Sequence, residues 1–361
     1  MAHSKGMASG ARLTQNPALM IAIDSKRRAW FARGLTLVVL VAGVCVLLFL
    51  LRRAGIANVT GALRSADMRW AMAVIALILL RSLVMAWRIA VITRRVVPCR
   101  VLPFVGFGLA AQAVALVTPG VRIGAMLMRA LLASRRFGGG IAMHLAPNLL
   151  EQMLLAASWG IAFAGHLPGH LAQTRGNSFL PLMSFLLASA LLTVGFFVGV
   201  VRFGRWIGAW LARPRAGWAG RLGGASAVTV LTTQRLVKDP RAILAGLGGG
   251  ILFALATGAI QWAALRACGA HPTWIIAFFS VVLSGTAAVA TASPGGVGVT
   301  EAVEIAYLSA QGLEPQSAAA GVLLARGLQY LYTLGGGGFF LLRAWQRGDL
   351  SETAPTRPTS D

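Results

Sequence analysis

The sequence Ala-Val-Ala-Thr-Ala-Ser-Pro-Gly, residues 288–295, interrupts an apolar run and decides how the chain is arranged. A second stretch, Ala-Val-Ala-Leu-Val-Thr-Pro-Gly at residues 113–120, has the same pattern and lies 175 residues earlier. Proline suits the first turn of a helix, and Ser or Thr suits the N-cap before it. Each stretch therefore predicts a helix that breaks and restarts.

Long apolar segments surround both breaks. A membrane-spanning helix needs about 20 apolar residues. The segments that fit this requirement are residues 34–51, 70–92, 141–164, 179–201, 242–264 and 316–342. The broken segments, residues 101–133 and 274–310, predict re-entrant hairpins, because irregular backbone at membrane depth survives only where protein or a watery cavity surrounds it.

The offset of 175 residues extends beyond the two turns. It carries the span at 70–92 onto 245–267 and the span at 141–164 onto 316–339, so the unit of span, hairpin and span occurs twice. The single extra span between the units turns the second copy upside down. Secondary transporters are commonly built from such inverted-topology repeats, with the substrate site at the repeat interface. The alternative is that two Pro-Gly kinks arose independently in a chain with 43 glycines.

The composition supports an all-α polytopic membrane protein with six full spans and two hairpins. Hydrophobic residues make up 57% of the chain and charged residues only 12%, which excludes a soluble globule, a disordered chain and a disulfide-stapled domain. Basic residues number 33 against 10 acidic ones. They lie between apolar runs, as in cytoplasmic loops, and not in one stripe, so a nucleic-acid partner is not expected.

The basic residues also predict the orientation and the parts of the chain. Both termini are expected on the cytoplasmic side of the membrane. The predicted parts are a basic tail (1–33), a first span and loop (34–69), repeat one (70–164), an extra span with a basic cytoplasmic loop (165–241), repeat two (242–342) and a disordered tail (343–361).

Charged side chains within the predicted spans are candidates for function, because charges are costly at the bilayer centre. The offset aligns Glu151 with Arg326, and each lies about ten residues, or roughly 15 Å, into its span. The alignment predicts that the two form an ion pair near the midplane. Such a pair either fixes the helix register or binds a charged head group or a proton.

The half-helices that follow the two turns carry opposite charges. Arg122 and Arg129 in the first suit a phosphate-bearing head group, with snorkelling of Arg129 as the alternative. Glu301 and Glu304 share a face of the second, and the helix dipole explains Glu301 better than Glu304. Close backbone approach is expected around Pro119 and Pro294, at Gly120, Gly124, Gly295, Gly296 and Gly298.

Motifs for covalent chemistry are missing from the sequence. It contains no P-loop, no H-E-x-x-H and no G-x-S-x-G, and its three cysteines match no metal or disulfide pattern. No catalytic residue, metal or cofactor is therefore expected, and movement or binding of a ligand is favoured over catalysis.

Residues 293–301, Ser-Pro-Gly-Gly-Val-Gly-Val-Thr-Glu, resemble the late signature of a flippase-like family typified by the membrane domain of lysylphosphatidylglycerol synthases. Residues 119–124 resemble its earlier motif, with Ala125 in place of an acidic residue and Glu151-Gln152 in place of a Glu-Arg pair. The resemblance covers most of residues 70–342. It implies movement of lipids or lipid-linked molecules across the inner membrane, and some relatives accompany hopanoid pathways. Lipid aminoacylation is not expected, because the soluble transfer domain does not follow Arg343.

Three functions remain as hypotheses. The first is a lipid flippase that is not driven by ATP, in which the charged residues above contact a phospholipid or another polar-headed lipid. The second is a scaffold that docks a lipid-biosynthesis enzyme through the basic stretch at 202–241. The third is a membrane-embedded lipid-modifying enzyme that uses Glu301 and Glu304.

Overall fold

The computed structural model describes residues 56–117, 123–173, 217–291 and 294–347, with short helical pieces at 52, 195, 198–199, 202–204, 206–207 and 209–210. The regular structure within these ranges is helical. Several predictions lie outside the described residues: the basic tail, the span at 34–51, most of the span at 179–201, the end of the C-terminal tail, and the first turn with Pro119, Gly120 and Arg122.

Ten α-helices make up the described fold. They are α1 (Ile56–Arg64), α2 (Met68–Thr93), α3 (Pro103–Val117), α4 (Ile123–Phe137), α5 (Ile141–Gln173), α6 (Gly217–Val237), α7 (Pro240–Ala267), α8 (Trp274–Ala290), α9 (Val299–Ala310) and α10 (Pro315–Gln346). A short 3-10 turn at Pro294–Gly296 separates α8 from α9. Helices α2 to α5 and α7 to α10 thus form two runs with the same order of long, short, short and long helices.

Among the described helices, α2 and α7 are long and apolar enough to cross a membrane. Shorter apolar helices lie in α3 and α8. The predicted spans at 141–164 and 316–342 are helical throughout, within α5 and α10. Polar side chains such as Asn148 and Gln329, together with glycines, lower the hydropathy of these two helices.

Helices α2 and α7 pack side by side and run antiparallel. Asp67 caps the start of α2, and its N–H donates to the carbonyl of Ala267 at the end of α7 over 2.8 Å. Asp239 caps the start of α7, and its carboxylate lies 3.1 Å from Nε of Arg95, just beyond the end of α2. The start of each helix therefore lies beside the end of the other.

Small residues on α7 allow α2 and α5 to approach it closely. A Cβ on Gly250 would collide with Ser158 of α5, and a Cβ on Gly249 would lie 3.3 Å from Cβ of Arg88 on α2. The Ser158 hydroxyl bridges the same contact, because it lies 3.0 Å from the carbonyl oxygen of Leu247. Close packing at small residues is typical of helices within membranes.

The stretch at 202–241 differs from the predicted basic loop, because it contains the 21-residue helix α6. Helix α6 packs on α5, where the Thr229 hydroxyl donates to the carbonyl of Ala142 over 3.1 Å. Ala227, Thr233 and Leu236 are buried on the same helix. Apolar and small residues at helical spacing thus turn this basic stretch into part of the bundle.

Candidate functional site

The turn between α8 and α9 is built from glycines that adopt positive φ angles. Gly295 has φ 60° and Gly298, the N-cap of α9, has φ 82°, a region that side-chain-bearing residues rarely enter. A Cβ on Gly295 would lie 2.6 Å from Cδ2 and 3.1 Å from Cα of Leu116, near the end of α3. Gly296 and Gly298 are buried. The second turn therefore packs directly against the last residues before the first turn.

Glu301 holds this turn and the start of α9 together. Its Oε2 accepts the backbone N–H of Gly298 over 2.7 Å, and its Oε1 accepts the hydroxyl of Tyr330 over 2.7 Å. The side chain is 2% exposed. A carboxylate at this position also complements the positive end of the helix dipole. The helix-dipole interpretation from the sequence is therefore consistent with the contacts of Glu301.

Glu304, one turn later, faces a different set of groups. Its Oε1 accepts the hydroxyl of Ser284 on α8 over 2.7 Å and lies 3.2 Å from Nη2 of Arg326 on α10. Arg326 also places Nε 3.8 Å from Oε1 of Glu301. We call Glu301, Glu304 and Arg326 the carboxylate-rich cluster. It has two carboxylates around one guanidinium, and both glutamates are buried.

A second cluster lies among α2, α4 and α5, in the first run of helices. Glu151 of α5 forms an ion pair with Arg88 of α2, and its Oε2 lies 3.5 Å from Nη1 of Arg129 on α4. The amide of Gln152 donates to the same Oε2 over 2.6 Å. We call Arg88, Arg129 and Glu151 the arginine-rich cluster. Their side chains are 0%, 5% and 1% exposed, so the whole cluster is withdrawn from solvent.

The two clusters use equivalent positions with the charges exchanged. The offset of 175 residues carries Arg129 onto Glu304 and Glu151 onto Arg326. Each run of helices thus has an arginine–glutamate contact at the same two positions, but the residue types are reversed. A third charge, Arg88 in the first cluster and Glu301 in the second, leaves one cluster with excess positive charge and the other with excess negative charge.

The expected ion pair between Glu151 and Arg326 is wrong. Glu151 pairs with arginines of α2 and α4, whereas Arg326 pairs with the glutamates of α9. The physical reason is that each residue has an opposite charge on a neighbouring helix of its own run. The snorkelling alternative for Arg129 does not fit its burial, because a snorkelling guanidinium would be exposed.

This leaves the position of Gly124 and the contact residues that were not predicted. Gly124 lies in the first turn of α4 and is half-buried. Arg88 belongs to the arginine-rich cluster, and Ser284 and Tyr330 donate to the glutamates of the carboxylate-rich cluster; none of the three was a predicted site residue. Arg88 interrupts an apolar segment, and this charge could have identified it as a candidate site residue. It has no charged equivalent, because the offset places it on Ala263.

A family model described as "Lysylphosphatidylglycerol synthase TM region" matches residues 35–336. This range contains both runs of helices, apart from residues 337–346 at the end of α10, and all six members of the two clusters. No curated protein and no solved structure matches the chain.

Proposed function

The chain belongs to the lysylphosphatidylglycerol synthase transmembrane-region family, and we propose that it moves a lipid or lipid-linked molecule across the bacterial inner membrane. The matched range establishes this family, and membership indicates a membrane protein with a lipid-related role. The proposed substrate carries a polar or anionic head group. Transport proceeds without ATP hydrolysis, because the sequence offers no P-loop.

The proposed architecture has six full spans and two re-entrant hairpins in an inverted-topology repeat, with both termini in the cytoplasm. The matching order of helices in α2 to α5 and α7 to α10 supports a repeat. The antiparallel packing of α2 and α7 supports inversion, because equivalent helices of parallel repeats run in the same direction. Contact between Gly295 and Leu116 supports hairpins whose turns meet inside the protein.

The observation that carries the proposal is the excess of buried positive charge in the arginine-rich cluster. Within the described ranges, Nε of Arg88, Nη1 of Arg88 and Nε of Arg129 are buried and have no hydrogen-bond acceptor. Buried guanidinium groups normally use their N–H groups, since an unmatched one costs free energy. A phosphate oxygen is the acceptor that arginine geometry fits best.

In the proposed mechanism, the phosphate of the lipid head group and the carboxylate of Glu151 compete for these arginines. The phosphate of a bound head group accepts N–H groups of Arg88 and Arg129 that Glu151 leaves unused, and it offsets the excess positive charge. The acyl chains remain in the hydrocarbon interior of the bilayer, since only the head group needs a polar path. Rocking of the hairpins about their glycine turns then exposes the head group to one leaflet or the other.

The test is lipid movement in vesicles that contain the purified protein. Fluorescent phosphatidylglycerol, phosphatidylethanolamine and a polyprenyl phosphate are placed in both leaflets, and bleaching by an impermeant reductant reports the exchange. We expect wild-type protein to exchange at least one of them. Substitution Arg129→Gln should slow exchange about 10- to 100-fold, as for loss of a charged hydrogen bond.

The matched control is Arg95→Gln. Arg95 also pairs with a carboxylate, that of Asp239, but this pair is partly exposed and lies outside both clusters. Its loss should leave exchange unchanged. The proposal is contradicted if wild-type vesicles exchange every labelled lipid no faster than empty vesicles, or if Arg129→Gln and Arg95→Gln behave alike.

Neither alternative function has a specific observation in its favour. A docking scaffold would use the basic stretch at 202–241, yet α6 packs on α5. A lipid-modifying enzyme would use Glu301 and Glu304, yet Glu301 is engaged by the backbone of its own turn. We therefore retain transport as the proposed function.

A further inference from the structure

The two glutamates of the carboxylate-rich cluster are not equally satisfied. Both oxygens of Glu301 accept hydrogen bonds, from Gly298 and Tyr330. Glu304 accepts two on Oε1, while its Oε2 is buried and has no hydrogen-bond partner among the described residues. Glu304 is 1% exposed, so water does not reach this oxygen freely.

The charges around Glu304 do not balance when both glutamates are ionised. From α10 it faces Arg326, and Tyr330 of the same helix is bonded to Glu301. Among the described residues of α8 it contacts the neutral Ser284, and on α9 itself Glu301 and Tyr307 lie one turn away on either side. One guanidinium therefore serves two carboxylates.

A further arginine, Arg81 of α2, lies near this region but is engaged elsewhere. Its Nη1 donates to Oε1 of Gln329 over 3.2 Å, and its guanidinium lies 5.6 Å from the ring centre of Phe253. The ion pairs of the described residues include none between Arg81 and either glutamate. An excess negative charge at this depth is costly, and two carboxylates that share one site relieve it by holding a proton.

We propose that Glu304 takes up and releases a proton during each transport cycle, so that lipid movement is coupled to the proton gradient. This inference rests on the proposed function and names its coupling ion. Glu304 is the residue that carries the proton, because both oxygens of Glu301 already accept hydrogen bonds, whereas Oε2 of Glu304 has no partner among the described residues.

The coupling acts through the contact between α9 and α10. Protonation of Glu304 removes its attraction for Arg326 and leaves Arg326 to Glu301, so the second hairpin is held less tightly to α10. Release of the proton restores the ion pair. The arginine-rich cluster differs in this respect, because it contains a single carboxylate, Glu151, and so has no second carboxylate to which an arginine could turn.

The first experiment detects the proton directly. Infrared spectra of the full-length protein in lipid nanodiscs are recorded from acid to alkaline pH in water and deuterium oxide. We expect a carboxylic-acid carbonyl band that shifts with deuterium, is lost in Glu304→Gln and persists in Glu301→Gln. The decisive spectra are those above about pH 6, where exposed carboxyl groups are ionised. The proposal is overturned if wild type has no such band there, or if that band survives in Glu304→Gln.

The second experiment measures the coupling. For one proton per lipid, a gradient of one pH unit should distribute the labelled lipid about tenfold unequally between the leaflets. In Glu304→Gln we expect this ratio to fall to one, and in the control Asp239→Asn we expect it to stay as in wild type. Asp239 lies outside both clusters.

The outcomes separate the two proposals. Wild-type vesicles that exchange lipid but keep a leaflet ratio of one under a pH gradient overturn proton coupling and leave the proposed function intact. Vesicles that exchange no lipid overturn the proposed function, and the infrared band then decides whether Glu304 holds a proton. If Glu304→Gln fails to fold, Glu304→Asp is used, and a band at a changed frequency supports the assignment while an unchanged band overturns it.

Discussion

At the scale of single residues, the fold places an arginine–glutamate contact at the same two positions of each half, with the residue types exchanged. The exchange preserves the attraction between neighbouring helices, because the strength of an ion pair does not depend on which helix carries the positive charge. It changes the net charge, because Arg88 joins one pair and Glu301 joins the other. The two halves thereby acquire different chemistry at equivalent places.

Removal of Glu151 should destabilise the protein strongly. Glu151→Gln leaves Arg88 and Arg129 buried without a carboxylate, and loss of one partner of a buried ion pair costs about 3–5 kcal/mol. Thermal unfolding of the purified protein in detergent, followed by tryptophan fluorescence, measures the loss. The control is Asp239→Asn, whose partly exposed pair should contribute no more than about 1 kcal/mol.

The pairing itself can be measured with double-mutant cycles. We expect Arg88→Met and Glu151→Gln to be strongly non-additive, because each removes the partner of the other. Glu151→Gln and Arg326→Met should add to within about 0.5 kcal/mol, since they belong to separate clusters. Coupling between Glu151 and Arg326 as large as that between Arg88 and Glu151 would contradict the assigned pairs.

The sequence predicted which residues carry the charges but not which of them meet. Arg129, Glu151, Glu304 and Arg326 were all visible as charges within apolar segments. The offset identified Glu151 and Arg326 as equivalent residues of the two repeats. The predicted ion pair assumed that equivalent residues are also in contact. Symmetry-related residues touch only when they lie on the symmetry axis, whereas α4 beside α5 and α9 beside α10 bring the true partners together. That information lies in helix packing, which a repeat offset does not contain.

At the scale of helices, the contact of α10 with α3 depends on a glycine. A Cβ on Gly337 would lie 2.5 Å from the carbonyl oxygen of Leu109 and 2.7 Å from Cβ of Ala113, whereas a Cβ on Gly338 would meet nothing within 4 Å. Two adjacent residues of one helix thus differ sharply in the space around them.

Substitution at these neighbours should have opposite effects. Gly337→Ala pushes α10 away from the backbone of α3 and should lower stability by about 1–3 kcal/mol. Gly338→Ala should raise it by up to about 1 kcal/mol, because alanine favours a helix more than glycine does. The unfolding midpoints of the two variants in the same detergent are compared. Equal midpoints would show that α10 does not contact α3 as described.

The helices were largely predictable because their boundaries coincide with breaks in the apolar pattern. The predicted segments at 70–92 and 242–264 correspond to α2 and α7 within a few residues, and the broken segment at 274–310 contains α8 and α9. Helix α6 was missed because its basic flanks indicated a loop, and α1 was missed in the loop at 52–69. Short or mixed segments of this kind are fixed by burial against neighbours, as Val59 of α1 is buried beside Leu265.

At the scale of the whole molecule, the proposed inversion places two equivalent loops on opposite sides of the membrane. The loop between α2 and α3 contains the exposed Arg100, and the loop between α7 and α8 contains the exposed His271. In a variant without native cysteines, Arg100→Cys should react with an impermeant thiol reagent only from the cytoplasm. His271→Cys should react only from outside. Reaction of both from one side would contradict the inversion.

The native Cys99 must be replaced in this experiment, although its own reactivity is low. It lies in the same loop as Arg100, and burial raises the pKa of its thiol to about 11. The thiol is therefore protonated at neutral pH and reacts slowly, and its reaction should speed up only as the pH rises towards that value. The rate of Cys99 alkylation against pH in the native chain checks this expectation.

The contact between Gly295 and Leu116 has a consequence for leakage. Gly295 lies so close to Leu116 that a Cβ at position 295 would collide with it, so a shift of the second turn towards α3 would displace the end of that helix. A passage continuous from one side of the bilayer to the other would require both to withdraw at once. If the protein transports lipids as proposed, this contact would close the path for ions while lipids cross, and a bulky residue at position 295 should make the membrane leak ions before it slows transport.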